Sequence, residues 1–245
     1  MNGATRFRRV AGYTTLGAAA FSLAASVLFL AASGFDWRTL NEPSRLLGIG
    51  SATIVTLRWS LVADMLVYLL SIPLFLCLGS ELASEHGPTV HVFTTSGVFY
   101  SIIGALAATI FLYAGPPLLH AYTGAAPSER PGITLAFATL TDVIYRGLWE
   151  TLELIPMGVW AIGTGLLLRT HRRRLGTVGV VGGAGVLLIA LCRITQAPTV
   201  VITPFLPLLT LVAVYQVWLG VILLRDPAGP VAVPRETAGS AGQPR

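Results

Sequence analysis

Residues 10–32 carry no charged side chain, and similar apolar runs recur over 52–79, 90–114, 148–168, 175–195 and 204–224. A transmembrane helix needs about 20 mostly apolar residues, because the hydrocarbon core is roughly 30 Å thick and a helix rises about 1.5 Å per residue. Each run meets that length. Lipid offers the peptide N–H and C=O groups no partners, so a crossing segment must satisfy them within itself, as a helix does. The expected fold is therefore all-α, a polytopic transmembrane helix bundle of six spans forming one unit over residues 1–224. The tail 225–245, rich in Pro, Gly and Ala, is expected to be disordered.

Composition points the same way. The 245 residues are 54% hydrophobic and 11% charged, against about 25% charged in soluble domains. So few charges cannot cover a water-facing surface of this size, whereas lipid accepts apolar side chains on the outside. The net charge of +5 resembles a nucleic-acid signal, but the arginines stand at the ends of the apolar runs, where they set orientation instead. Arg6, Arg8, Arg9, Arg169, Arg172, Arg173, Arg174, Arg225, Arg235 and Arg245 fall on one side of six alternating spans. Arg38, Arg45 and Arg130 fall on the other. The positive-inside rule then places both termini in the cytoplasm. The first run is longer than the 7–15 apolar residues of a signal peptide, so an uncleaved span is favoured over cleavage at Ala31-Ala32-Ser33. The two cysteines, Cys77 and Cys192, fall at opposite membrane faces, and no disulfide is expected between them.

Between the runs, residues 34–50 read as a polar loop, and a short loop carries Glu81, Glu85 and His86. The third span is expected to end at Gly115-Pro116-Pro117, followed by a loop to Gly132. Residues 133–147 are amphipathic and read either as an outer extension of the fourth span or as an interfacial helix hinged near Gly147. Pro73 and Pro156 are expected to make packing kinks. Gly179, Gly182 and Gly183, and the pairs Gly97/Ser101 and Gly104/Ala108, have the small-residue spacing that lets helices approach closely in lipid. The glycine-rich stretch 176–185 lacks a nucleotide-loop pattern and follows a helix. No nucleophile elbow or zinc helix occurs. Glu81, Glu85, His86 and His91 match no standard ligand spacing and read as a solvated loop. No catalytic constellation, metal or cofactor is expected.

Chemistry, if present, lies with the ionisable groups in or beside the spans, which are costly in lipid and face the bundle interior. At about 100° per residue, Thr53, Thr56, Ser60, Asp64, Tyr68 and Ser71 form a polar stripe on the second span. Asp142, Arg146, Glu150 and Glu153 share one face of the fourth. Helical rise puts Asp64 roughly 10 Å below the outer boundary and Glu150, Glu153, Arg58 and Arg193 near that boundary, so that with Arg146 all six converge on the outer half of the membrane, Asp64 the deepest. The expectation is a polar cavity open to the outer face between the second, fourth and fifth spans, lined by these six residues. Against it stands a structural reading, in which Asp142, Arg146 and Glu150 pair at i, i+4 and the arginines snorkel. Trp37, Trp59 and Trp149 fit an outer aromatic belt.

Trp149, Gly158, Trp160, Gly163, the run Gly165-Leu166-Leu167-Leu168-Arg169, the basic loop after it and the glycine-rich helix from Leu175-Gly176 carry a resemblance. With the Arg-led N-terminus and six spans, the chain resembles the actinobacterial-type integral membrane proteins catalogued as domain of unknown function 4386. The resemblance implies a six-helix bundle in a bacterial inner membrane and transfers no functional residue. The expected function is binding of a small ligand, lipid or partner in the outer cavity, without enzymatic activity. The alternative is a small ion-coupled secondary transporter using Asp64 and Glu153. The expected partners are the lipid bilayer and another copy or another membrane protein, not nucleic acid.

Overall fold

A computed structural model describes residues 3–40, 42–48, 51–197 and 206–226. Among them there are helices and turns but no strand. The long helices are α1 (Gly3–Ala32), α2 (Ser51–His86), α3 (Val90–Gly124), α4 (Arg130–Thr141), α5 (Leu154–Leu168), α6 (Arg173–Ile194) and α7 (Leu206–Arg225). A π-helical segment, Asp142–Leu152, joins α4 to α5. Among the described residues five stretches are long and apolar enough to cross a membrane: 3–32, 53–124, 130–168, 173–194 and 207–225. The second of these contains both α2 and α3. The tail expected to be disordered lies outside the described residues from 227 on, as do residues 204–205 of the last expected span.

Neighbouring helices run antiparallel. Gly79 of α2 faces Thr94 of α3, Phe75 faces Gly97, and Tyr68 packs on Gly104. The Thr109 hydroxyl lies 3.5 Å from the Met65 sulfur. The reversal between the two helices is made by a 3₁₀ turn, Gly87–Thr89. Gly87 has φ +70°, the left-handed region open to glycine. Helices α5 and α6 meet at backbone distance: a Cβ on Gly165 would lie 2.8 Å from the Gly176 carbonyl and 2.8 Å from the Val180 nitrogen, and Gly158 faces Gly183. Helix α7 packs on both α6, through Tyr215 against Gly179, and α1, through Gly220 against Thr15. In lipid such close seams supply the dispersion that holds helices together. The glycine spacings read from the sequence are these seams.

Large apolar side chains point outward on α1 (Leu23, Val27), α3 (Phe99, Ile102, Leu106) and α6 (Val181, Leu191). The interior holds Phe75, Phe111, Trp160 and Tyr215. Cys77 and Cys192 are free and buried.

Several expected boundaries move. Helix α2 continues through the segment expected to be a loop, as far as His86. Helix α3 does not stop at Gly115-Pro116-Pro117 but runs through both prolines to Gly124. A proline removes one donor from the ladder, and helices in the membrane setting tolerate that where neighbours compensate. Here Pro116 is buried and the adjoining Leu119 belongs to the packed core with Phe111 and Phe137. Helix α4 begins at Arg130, inside the expected loop. The expected polar loop 34–50 contains two 3₁₀ turns, Trp37–Leu40 and Pro43–Gly48. The second buries Leu46 and Leu47 in that same core.

Candidate functional site

The polar stripe of α2 faces inward over most of its length. Ser60 is buried and donates to the Ala25 carbonyl of α1 at 2.8 Å, joining the two helices. Ser71 returns its hydroxyl to its own helix at Val67. Tyr68 is buried, lies on Gly104 where only a glycine leaves room, and meets Tyr100 edge-on at 5.4 Å between centroids. Its hydroxyl donates to both carboxyl oxygens of Glu153 at 3.1 Å. Thr56 departs from the stripe and lines a shallow apolar groove with Phe21 and Trp59.

Opposite this stripe lies the π-helical segment. Its i→i−5 winding persists to Glu153, whose N–H donates to the Leu148 carbonyl at 2.8 Å. The Thr151 hydroxyl caps the Arg146 carbonyl at 2.6 Å, five residues back. Pro156, in the first turn of α5, has no N–H to contribute where the winding returns to α. π-Helical turns are rare and concentrate at functional sites. The wide winding separates groups that a regular helix would stack. Arg146 and Asp142 pair at 3.3 Å on the surface, with about two thirds of each side chain exposed (66% and 65%). Glu150 turns to α6, where Arg193 Nη2 donates to it at 2.9 Å. Arg193 Nε lies 2.8 Å from the other carboxyl oxygen, out of line for a hydrogen bond, so that contact is one of charge. Glu153 turns to α2 and is 5% exposed, with the Tyr68 hydroxyl as its side-chain partner and no ion pair among the described residues.

Asp64 lines a cavity of about 290 Å³. The walls come from α1 (Ser22, Ser26, Phe29), α2 (Ser60, Asp64, Tyr68) and the π-helical segment (Tyr145, Trp149). Asp64 makes no hydrogen bond or ion pair with the described residues, and the buried Trp149 indole N–H has no partner among them. Tyr145 and Trp149 meet edge-on at 4.8 Å, and each also meets Phe111. The cavity thus presents one carboxyl, several hydroxyls and four aromatic side chains, Phe29, Tyr68, Tyr145 and Trp149.

Of the six residues expected to line one cavity, only Asp64 does so. Glu153 is one side chain removed, through Tyr68. Glu150 and Arg193 form the closed pair just described. Arg146 stays on the surface. Arg58 is exposed and sits in a separate shallow groove with Trp59 and Tyr113. The cavity itself lies between α1, α2 and the π-helical segment, not between the second, fourth and fifth spans, and α6 does not reach it. By sequence, helix α1 reads as a plain span. The i, i+4 pair Ser22 and Ser26 was its one sequence signal. Trp149, expected in an aromatic belt, is half-buried in the cavity wall, whereas Trp59 is exposed. The side chain of Trp37 lies outside the described residues.

A family model described as a domain of unknown function, DUF4386, matches residues 10–225. The chain belongs to this family. The match covers α1 from residue 10, every later long helix, the π-helical segment and the Asp64 cavity. It agrees with an integral membrane protein and assigns no activity. The chain matches no curated protein and no solved structure.

Proposed function

We propose that this DUF4386 protein crosses the bacterial inner membrane six times, with both termini cytoplasmic, and binds a small cationic ligand in the Asp64 cavity without catalysing a reaction. Six crossings result when residues 53–124 are counted as α2 and α3, each long enough to span alone, and 130–168 as one. The orientation is supported by arginine placement. Arg8 meets Glu81, and Arg172 meets Asp226, at the same end of the bundle as the basic turn between α5 and α6. That end suits the cytoplasmic face.

The observation that carries the ligand reading is Asp64, a carboxyl without a cation among the described residues, in a cavity walled by Tyr145 and Trp149. An ionised carboxylate only accepts hydrogen bonds, and aromatic faces attract cations, so ammonium chemistry satisfies both. The serine hydroxyls fix orientation, as the few polar groups of small-molecule sites generally do. Thermal unfolding with phenethylammonium and its neutral counterpart 2-phenylethanol tests this. At a hundred times its Kd a ligand stabilises by about 2.7 kcal/mol. The cation should raise Tm in the native sequence, and Asp64→Asn should remove its advantage over the alcohol. Equal shifts from both compounds in both proteins would overturn the reading.

The second reading is a small ion-coupled carrier. It is favoured by Glu153, an intramembrane carboxyl one tyrosine away from Asp64. Flux of the cation in proteoliposomes that is driven by a proton gradient, and lost in Glu153→Gln while binding survives, would select the carrier.

A further inference from the structure

We propose that Glu85, His86 and His171 bind a divalent transition-metal ion of the zinc class at the end of the bundle remote from Asp64. Roughly 30 Å of α2 separates the two places, at about 1.5 Å per residue. Each of the three residues offers one ligand atom, and these atoms all lie within 4.8 Å of one another. His171 Nε2 already stands 2.8 Å and 3.0 Å from the two Glu85 oxygens. His86 Nε2 is buried and has no hydrogen-bond partner, an arrangement that costs free energy unless something accepts its lone pair or its proton. Ligands at about 2.0–2.2 Å from a tetrahedral ion stand about 3.4 Å apart. Small side-chain rotations close the triangle to that size.

Sequence spacing could not reveal this group. Glu81, Glu85, His86 and His91 match no ligand pattern by spacing, and His91 is exposed and outside the cluster. The missing member is His171, in the turn between α5 and α6, 86 positions from Glu85. Consecutive helical residues do not share a face. His86, however, is the last residue of α2, with φ −109° and ψ 4°, and Gly87 follows with φ +70°. The departure from helical backbone is what lets residues 85 and 86 meet at one point.

Two imidazoles and one carboxylate form the donor set of open zinc sites and of non-haem iron sites, with the remaining positions left for water or substrate. Arg8 pairs with Glu81 and Arg172 with Asp226, and among the described residues no arginine forms an ion pair with Glu85. The bound ion would tie the α2–α3 turn to the α5–α6 turn, two connections that otherwise meet here through the Glu85–His171 hydrogen bond.

The test uses full-length protein in nanodiscs, purified through a tag without histidine and stripped with chelator. Zn²⁺ affinity is measured by competition with a chromogenic chelator, and Co²⁺ reports coordination through its visible absorption. One ion per chain is expected, with a tetrahedral-type Co²⁺ spectrum. His86→Ala, His171→Ala and Glu85→Gln should each weaken Zn²⁺ by at least the ~10–100-fold that loss of a supporting partner alone costs. His120→Ala, at the far end of α3, should leave it unchanged. Monodisperse variants that elute as the native protein does exclude misfolding as the cause. Absence of Zn²⁺ binding, or equal affinity in His171→Ala and His120→Ala, would overturn the proposal.

Discussion

Replacing Gly165 by alanine adds one methyl group at the tightest backbone seam between α5 and α6. That methyl would stand 2.8 Å from both the Gly176 carbonyl oxygen and the Val180 nitrogen, where ordinary contact begins at 3.4 Å. Both obstacles are backbone, so no rotamer relieves them, and the helices must part by about half an ångström or more. A radial gap of about 0.5–1 Å forfeits a quarter to a half of each contact, and each is worth about 0.1–0.2 kcal/mol. Summed over the several tens of atom pairs in a helix seam, the loss is about 1–3 kcal/mol, the usual range for overpacking. Dispersion is a main driving force for helix association in lipid, so little compensates. The folded-to-unfolded ratio should fall by roughly 5- to 150-fold, at 1.4 kcal/mol per factor of ten. Titration with dodecyl sulfate, followed by circular dichroism and by Trp fluorescence, measures it. Gly132→Ala is the matched control: its methyl would meet nothing within 4 Å, and it should be neutral or stabilise α4 by about 0.5–1 kcal/mol. Gly165→Ala as stable as the native protein would refute the close seam.

Glu150→Gln should destabilise by about 1–3 kcal/mol, because it leaves Arg193, 19% exposed, without its carboxylate. In the same titration Arg146→Ala should change stability by less than about 0.5 kcal/mol, its pair with Asp142 being exposed. Equal losses for the two would contradict the division of charges described here. Tyr68→Phe keeps the ring on Gly104 but removes the only side-chain donor seen on Glu153 among the described residues. A loss of about 1–3 kcal/mol is expected, and an unchanged unfolding midpoint would show that the hydrogen bond does not form.

Length and apolarity made the helices readable, because the bilayer dictates both. Helix ends were less readable. Lipid thickness says nothing about where α2 and α3 stop once they leave it, so the extensions to His86 and Gly124 carried no apolar signal. The π-helical segment has no compositional mark. Arithmetic at 100° per residue groups Asp142, Arg146, Glu150 and Glu153 on one face, whereas the wider winding leaves Arg146 with Asp142 and turns Glu150 and Glu153 to different neighbours. Helical rise did place Glu150 and Arg193 at one height, which is why they can pair, but height does not say which residue meets which. Asp64 was legible because a carboxyl within an apolar run is exceptional in itself. Ser22, Ser26 and the cavity role of Trp149 were not, since serine and tryptophan are ordinary in such runs.

The charge and accessibility of the Asp64 cavity are measured most directly at Ser26, which is exposed and lines it. Ser26→Cys is made with Cys77→Ser and Cys192→Ser, and its labelling by a cationic and an anionic methanethiosulfonate is compared. A carboxylate facing the cavity should make the cationic reagent faster by about tenfold, the low end of electrostatic steering, and Asp64→Asn should bring the two rates together. Equal rates before that substitution, or a ratio that survives it, would contradict a cation site built around Asp64.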